Sequence, residues 1–160
     1  MQNNTPLSDS ELAERVAVLK RFRSLLQQQR AQFYEYLNVL EKQEHSITAE
    51  NSEAIVAHTK LGESIVTNIF TIQKVIDPLE YMYQNLADNT AIDTTIPKLK
   101  TELADLQQQV LIQNKKNRAL LESHVSGLRR QISELKQPYV KKESIYAESK
   151  NNARFIDILS

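Results

Sequence analysis

The sequence predicts an all-α protein, an elongated antiparallel bundle or coiled coil of three long helices followed by a flexible C-terminal tail. Three observations predict it. Apolar residues recur in steps of three and four over three long stretches, the period of one face of an α-helix. Glycine and proline are scarce, 2 and 4 in 160 residues, so tight turns are few. Leu, Gln, Glu, Lys and Ala dominate, all good helix formers. Sandwiches, barrels and wound sheets need many turns and runs of β-branched and aromatic residues, and aromatics are only 6% here.

The first helix is expected at about 9–47. "SDSE" at 8–11 is a capping box, in which the Ser8 hydroxyl accepts the Glu11 N–H and Glu11 reaches back. The seam that follows is Leu12, Val16, Leu19, Leu26, Phe33, Leu37, Leu40 and Ile47, with Arg23, Arg30 and Glu44 filling the gaps. Long charged side chains at such positions lay their stems on apolar surface and keep their heads wet. The second helix is expected at about 52–87, with Thr48 or Asn51 as its cap. Its seam is the cleanest: Ile55, His58, Gly62, Ile65, Ile69, Ile72, Ile76, Leu79, Tyr83 and Leu86. Pro78 interrupts it, and an interior proline costs about 3 kcal/mol. The phase nonetheless continues unbroken, which favours one kinked helix over two, the alternative being a separate helix capped by Asp77.

"ADNTAIDTTIP" at 87–97 reads as the one clear interhelical loop. The third helix is expected at about 96–136, capped by Thr94 or Thr95, with Pro97 tolerated in its first turn. Pro138 disfavours helical geometry at Gln137. Residues 1–136 therefore form one helical domain. Residues 137–160 carry no helical period and read as a flexible tail with sticky points at Tyr139, Tyr146 and "FIDIL". Such a tail is either idle or orders on a partner.

Charge and composition exclude several classes. Lys plus Arg balances Asp plus Glu at 20 each, so no broad attraction to nucleic acid or anionic membrane is expected. There is no Cys, hence no disulfide and no thiolate metal site. The N-terminus "MQNNTPLSDSE" lacks the form of a signal peptide, and no apolar run reaches the ~18–20 residues of a membrane span. A cytoplasmic protein without membrane insertion is expected. Phosphate-binding and zinc-protease motifs are missing, and the three histidines, His45, His58 and His124, are scattered. Slender helices rarely build the concave site that catalysis needs. The expectation is a non-enzyme without metal or cofactor. "LLQQQR" at 25–30 and "LQQQV" at 106–110 read as ordinary helix-surface glutamines.

The third helix holds the most informative stretch. Leu99, Leu103, Leu106 and Val110 form one seam. In "LIQNKKNRALL" (111–121) the next positions are amides: Gln113, Asn114 and Asn117. Beyond them the apolar series is Leu121, Val125, Leu128, Ile132 and Leu135. That series is displaced by one residue from the first, a rotation of ~100° about the helix. Two readings follow. Buried amides fix register within the protein, or the distal half of the helix serves a surface that the protein's own helices do not fill.

The order of elements, together with "LQQQVLIQNKKNRALL", resembles FlgN-type flagellar export chaperones. Their last helix often carries an amide-rich segment that Gln113 or Asn114, Asn117, Leu120 and Leu121 match. The resemblance covers most of residues 8–136. It departs at "TAENSE", where the family pattern has a small "GD"-like turn, and the terminal "FIDIL" lies outside the pattern. The resemblance implies a chaperone that holds the terminal helices of the hook-associated proteins FlgK and FlgL, prevents their premature assembly and delivers them to the flagellar export gate or ATPase complex. On this reading Leu121, Val125, Leu128, Ile132 and Leu135 contact the substrate, Asn114 and Asn117 fix its register, and Tyr139 or Tyr146 docks on the gate. A homodimer is a further expected partner. The rival from another class is a self-associating coiled-coil scaffold or adaptor.

Overall fold

A computed structural model describes the backbone of residues 6–87 and 94–159 and the side chains of residues 6–86 and 94–136. Three long helices account for it: α1 (Asp9–Thr48), α2 (Ser52–Ala87) and α3 (Thr95–Leu159). No strand occurs among the described residues. The chain divides into two compact units, Met1–Arg118 and Ala119–Ser160. The first is a three-helix bundle of α1, α2 and the start of α3.

Each helix boundary has a local cause. The Ser8 hydroxyl accepts the Glu11 N–H at 3.3 Å, and the Glu11 carboxylate accepts the Ser8 N–H at 3.0 Å. This is the expected capping box, satisfying donors that a helix start leaves orphaned. At the other end of α1, Glu50 adopts φ 57°. The Glu50 N–H bonds the Ile47 carbonyl and the Asn51 N–H bonds the Ser46 carbonyl, each at 3.0 Å. These two reversed bonds make a Schellman turn, with Glu50 where glycine usually sits. Asn51, one of the two expected caps, starts α2 by accepting the Ala54 N–H at 3.1 Å. Thr48, the other, instead bonds back to the Glu44 carbonyl within α1.

Helix α2 runs through Pro78 as one helix. Pro78 has no N–H to give the Lys74 carbonyl, but the seam on either side keeps its phase and its burial. Asp77 does not cap a new helix; its carboxylate accepts Gln73 Nε2 at 2.7 Å. The expected loop falls largely on residues 88–93, outside those described. Helix α3 begins at Thr95 and is helical in backbone past Lys136 and across Pro138. The expected tail, with Tyr139 and Tyr146, lies beyond the described side chains.

Contacts set the directions of packing. Between α1 and α2, Gln43 meets Thr59 and Gln29 meets Gln73. Partners lie farther apart in sequence the farther they are from the turn, so the two helices are antiparallel. Between α1 and α3, Arg30 pairs with Glu102 and Glu44 with Lys116, each across 72 residues. A constant separation means parallel helices, as up-down-up topology requires. Lys100 pairs with Glu80 between α3 and α2.

The core of this unit joins Phe22, Leu25 and Leu26 of α1, Ile76 of α2, and Ile96, Leu99 and Leu103 of α3. Tyr83 packs against it with its ring centroid 5.3 Å from that of Phe22. Burying each such side chain contributes about 1.5–3 kcal/mol. Towards the α1–α2 turn, Val39, Leu40, Ile47, Ile65, Leu106 and Val110 are also buried. Gly62 sits at a close approach of α2 to α1, where a Cβ would lie 3.4 Å from the Tyr36 ring.

Polar side chains are also built into this interior. Gln29, expected on the surface, is 1% exposed, and its Nε2 donates to the Ile69 carbonyl at 3.0 Å and to Gln73 Oε1 at 3.1 Å. Gln107, Gln108 and Gln109 are exposed, as expected. The Ser46 hydroxyl donates to the Lys42 carbonyl, so at 3.1 Å it accepts from His58 Nδ1. That assigns the His58 proton to Nδ1.

Candidate functional site

The amide stretch of α3 is a polar node facing α1. Asn117 falls in phase with Leu103, Leu106 and Val110, and is buried as they are, at 3% exposure. Its Nδ2 donates to the Leu40 carbonyl at 2.8 Å and to Gln43 Oε1 at 3.1 Å. Its Oδ1 accepts Gln113 Nε2 at 2.9 Å, and Gln113 also reaches the Glu44 carboxylate. The other oxygen of that carboxylate meets Lys116 Nζ at 2.7 Å. The Lys116 ammonium, and after it the Gln113 amide, hold the Glu44 carboxyl below its ordinary value.

Both Nδ2 protons of Asn117 are engaged inside the bundle. The geometry therefore moves Asn117 from the set expected to face a client to the set that aligns α3 with α1. A buried amide at a seam position fixes register because any slip strands it without partners. Asn114 is placed differently. It lines a groove of about 220 Å³ between α1 and α2, with Tyr36, Val39, His58, Gly62 and Glu63 among its walls. Burial raises the Tyr36 phenol above its ordinary value.

Further along α3, in the second unit, the other expected residues share one stripe. Leu121, Val125, Leu128, Ile132 and Leu135 are all exposed, from 38% at Val125 to 73% at Leu135. Steps of four, three, four and three keep them on one helix face. A shallow depression there is lined by Leu121, Glu122, Val125, Ser126 and Arg129. A contiguous exposed apolar stripe of this kind marks an interaction surface. Tyr139 and Tyr146 lie beyond the described side chains, and nothing about their placement follows.

Other exposed apolar groups escaped the seam reading. Phe70 and Tyr81 stand on the outer side of α2, and Leu111 and Ile112 on α3. Their signal in the sequence was an apolar side chain out of phase with its own seam. Among the described residues, no group of three His, Asp or Glu side chains is gathered as a metal site would need. No helix is long and apolar enough to cross a membrane among those residues.

Fold and site together define the class: an all-helical protein whose first unit is a three-helix bundle, with an exposed apolar stripe further along its third helix. No family model matches the chain, and no solved structure matches it. It is 39% identical over 130 residues to a protein of Treponema pallidum (strain Nichols) described as uncharacterized, an alignment covering 81% of this chain and 82% of that one. The chain belongs to the same family as this Treponema protein.

Proposed function

We propose that the protein is a cytoplasmic, non-enzymatic export chaperone of the FlgN type. It holds the terminal amphipathic helices of FlgK and FlgL, prevents their premature assembly and passes them to the export gate. The observation that carries this reading is the exposed stripe Leu121, Val125, Leu128, Ile132 and Leu135, heptad-spaced and following the polar node in the chain. An amphipathic helix binds such a face through apolar anchors at helical spacing. The stripe is edged by the charged Glu122 and Arg129, and a polar edge suits binding that must be released.

Calorimetric titration with peptides of the FlgK and FlgL terminal helices tests the reading. Binding is expected for the parent chain and is lost in the Leu121→Asp, Leu128→Asp double variant while circular dichroism stays helical. Undiminished binding by the double variant overturns it. The gate contact is assigned to Tyr139 or Tyr146; a chain ending at Lys136 that bound the gate as well as the full chain does would remove that assignment.

A further inference from the structure

The stripe on α3 also carries the marks of pairing with itself. Val125 and Ile132 occupy one core position of a heptad, and Leu121, Leu128 and Leu135 the other. Both positions are apolar throughout, as the seam of a coiled coil needs. The flanking charges choose the direction. Glu122 and Arg129 each follow a leucine of the stripe by one residue and line the same depression. Among the described residues no ion pair engages either of them.

In a parallel pair of these helices the flanks would bring Arg129 towards the second copy's His124 and Lys136 towards its Gln131. No opposite charges meet. In an antiparallel pair centred between Ser126 and Gly127, Val125 packs on the second copy's Leu128 and Ile132 on its Leu121. Each layer occurs twice by symmetry. Glu122 then lies beside the second copy's Arg129, also twice. Flanking charges of this kind set partner and orientation in coiled coils.

We infer that the free protein pairs reversibly with a second copy of itself through this stripe, antiparallel, with Glu122 opposite Arg129 on both flanks. The paired length of roughly a dozen residues is about 18 Å of helix. An interface that short falls below the ~1,200 Å² of stable complexes, so the pair dissociates readily. Self-pairing covers the apolar face until something of higher affinity replaces it. The inference uses the same face as the chaperone reading but does not depend on what the client is.

Sedimentation of the full chain without any client is expected to show a monomer–dimer equilibrium that rises with concentration. Glu122→Arg and Arg129→Glu should each weaken it about tenfold, by setting like charges together on both flanks. Their combination should restore it. The absence of native cysteine allows a second measurement. A mixture of Leu121→Cys and Ile132→Cys chains should form disulfide-linked dimers under mild oxidation, whereas neither should do so alone, because only the mixed pair falls within the ~4.4–6.8 Å Cα separation of a disulfide. A chain that stays monomeric throughout, cross-linking of either variant alone, or failure of the charge swap to restore pairing overturns the inference. None of these outcomes bears on peptide binding, so the two readings fail separately.

Discussion

Asn117 of α3 donates its side-chain amide to the main-chain carbonyl of Leu40 in α1, 2.8 Å away and buried. Leu40 lies within α1, where its carbonyl is bonded along the helix, so the contact adds a second donor to an acceptor already served. What depends on it is alignment rather than satisfaction of Leu40. Asn117→Asp should therefore lose both donors and set a carboxylate against Leu40 O and Gln43 Oε1, costing roughly 2–4 kcal/mol. Asn117→Leu should stay within about 1 kcal/mol of the parent, since no carbonyl is orphaned. Urea denaturation midpoints compare the two. An Asp variant as stable as the Leu variant would remove the node from the account.

The same node makes stability depend on pH. Lys116 and Gln113 hold the Glu44 carboxyl below its unfolded value. A depressed carboxyl contributes stability that is full above the unfolded pKa and is lost as pH falls through the folded one. The melting temperature should drop on acidification below roughly pH 4.5. Glu44→Gln should flatten part of that drop. Glu11, lowered by the Ser8 N–H and then by its hydroxyl, has the same sign and should keep some of the slope. Melting curves of both chains from neutral to acid pH check this, and equal slopes would count against it.

The turn between α1 and α2 offers a stabilising change. Glu50 holds a positive φ that costs a residue with a Cβ about 1–2 kcal/mol, while glycine adopts it freely. Glycine gives some of this back as unfolded-chain entropy. Glu50→Gly should gain up to about 1 kcal/mol, and Glu50→Val should lose stability. Thermal unfolding of the two variants reads the sign; a stabilising valine would contradict the turn geometry.

The core carries the largest single effect. Phe22 is fully buried between all three helices of the first unit. Phe22→Ala should cost about 3–5 kcal/mol. Val16→Ala, at an exposed seam position, should change stability by no more than ~0.5 kcal/mol. Chemical denaturation of the pair tests whether the α1 seam begins at Leu19 rather than at Leu12.

That last contrast explains what the residues alone could reveal. The α2 seam was fully legible: all ten of its positions are buried or half-buried, because α2 presents one stripe with a clean period. In α1 the seam found Leu26, Leu40 and Ile47 but missed Phe22, Leu25 and Val39. This helix packs against both others and needs an apolar face wider than one stripe. Leu12 and Val16 matched the period yet stay exposed. Gln29 was invisible because a glutamine that donates to a neighbouring helix looks like one that faces water. On α3, strict heptad counting landed on Asn117, and the structure buries it there. What no spacing rule supplied was which partner takes its protons, since that depends on a helix some 70 residues away.

Arg30–Glu102 and Glu44–Lys116, two ion pairs that tie α1 to α3, differ in one respect beyond their equal spacing. At Arg30 the base is on α1 and the acid, Glu102, on α3; two heptads along, at Glu44 and Lys116, acid and base have changed sides. A leucine seam repeats and would accept α3 displaced by that distance. The charges would not, because the displacement sets Glu44 against Glu102 one way and Lys116 against Arg30 the other. The alternation works like the unequal pins of a plug: a joint slipped by two heptads either way repels itself before it closes.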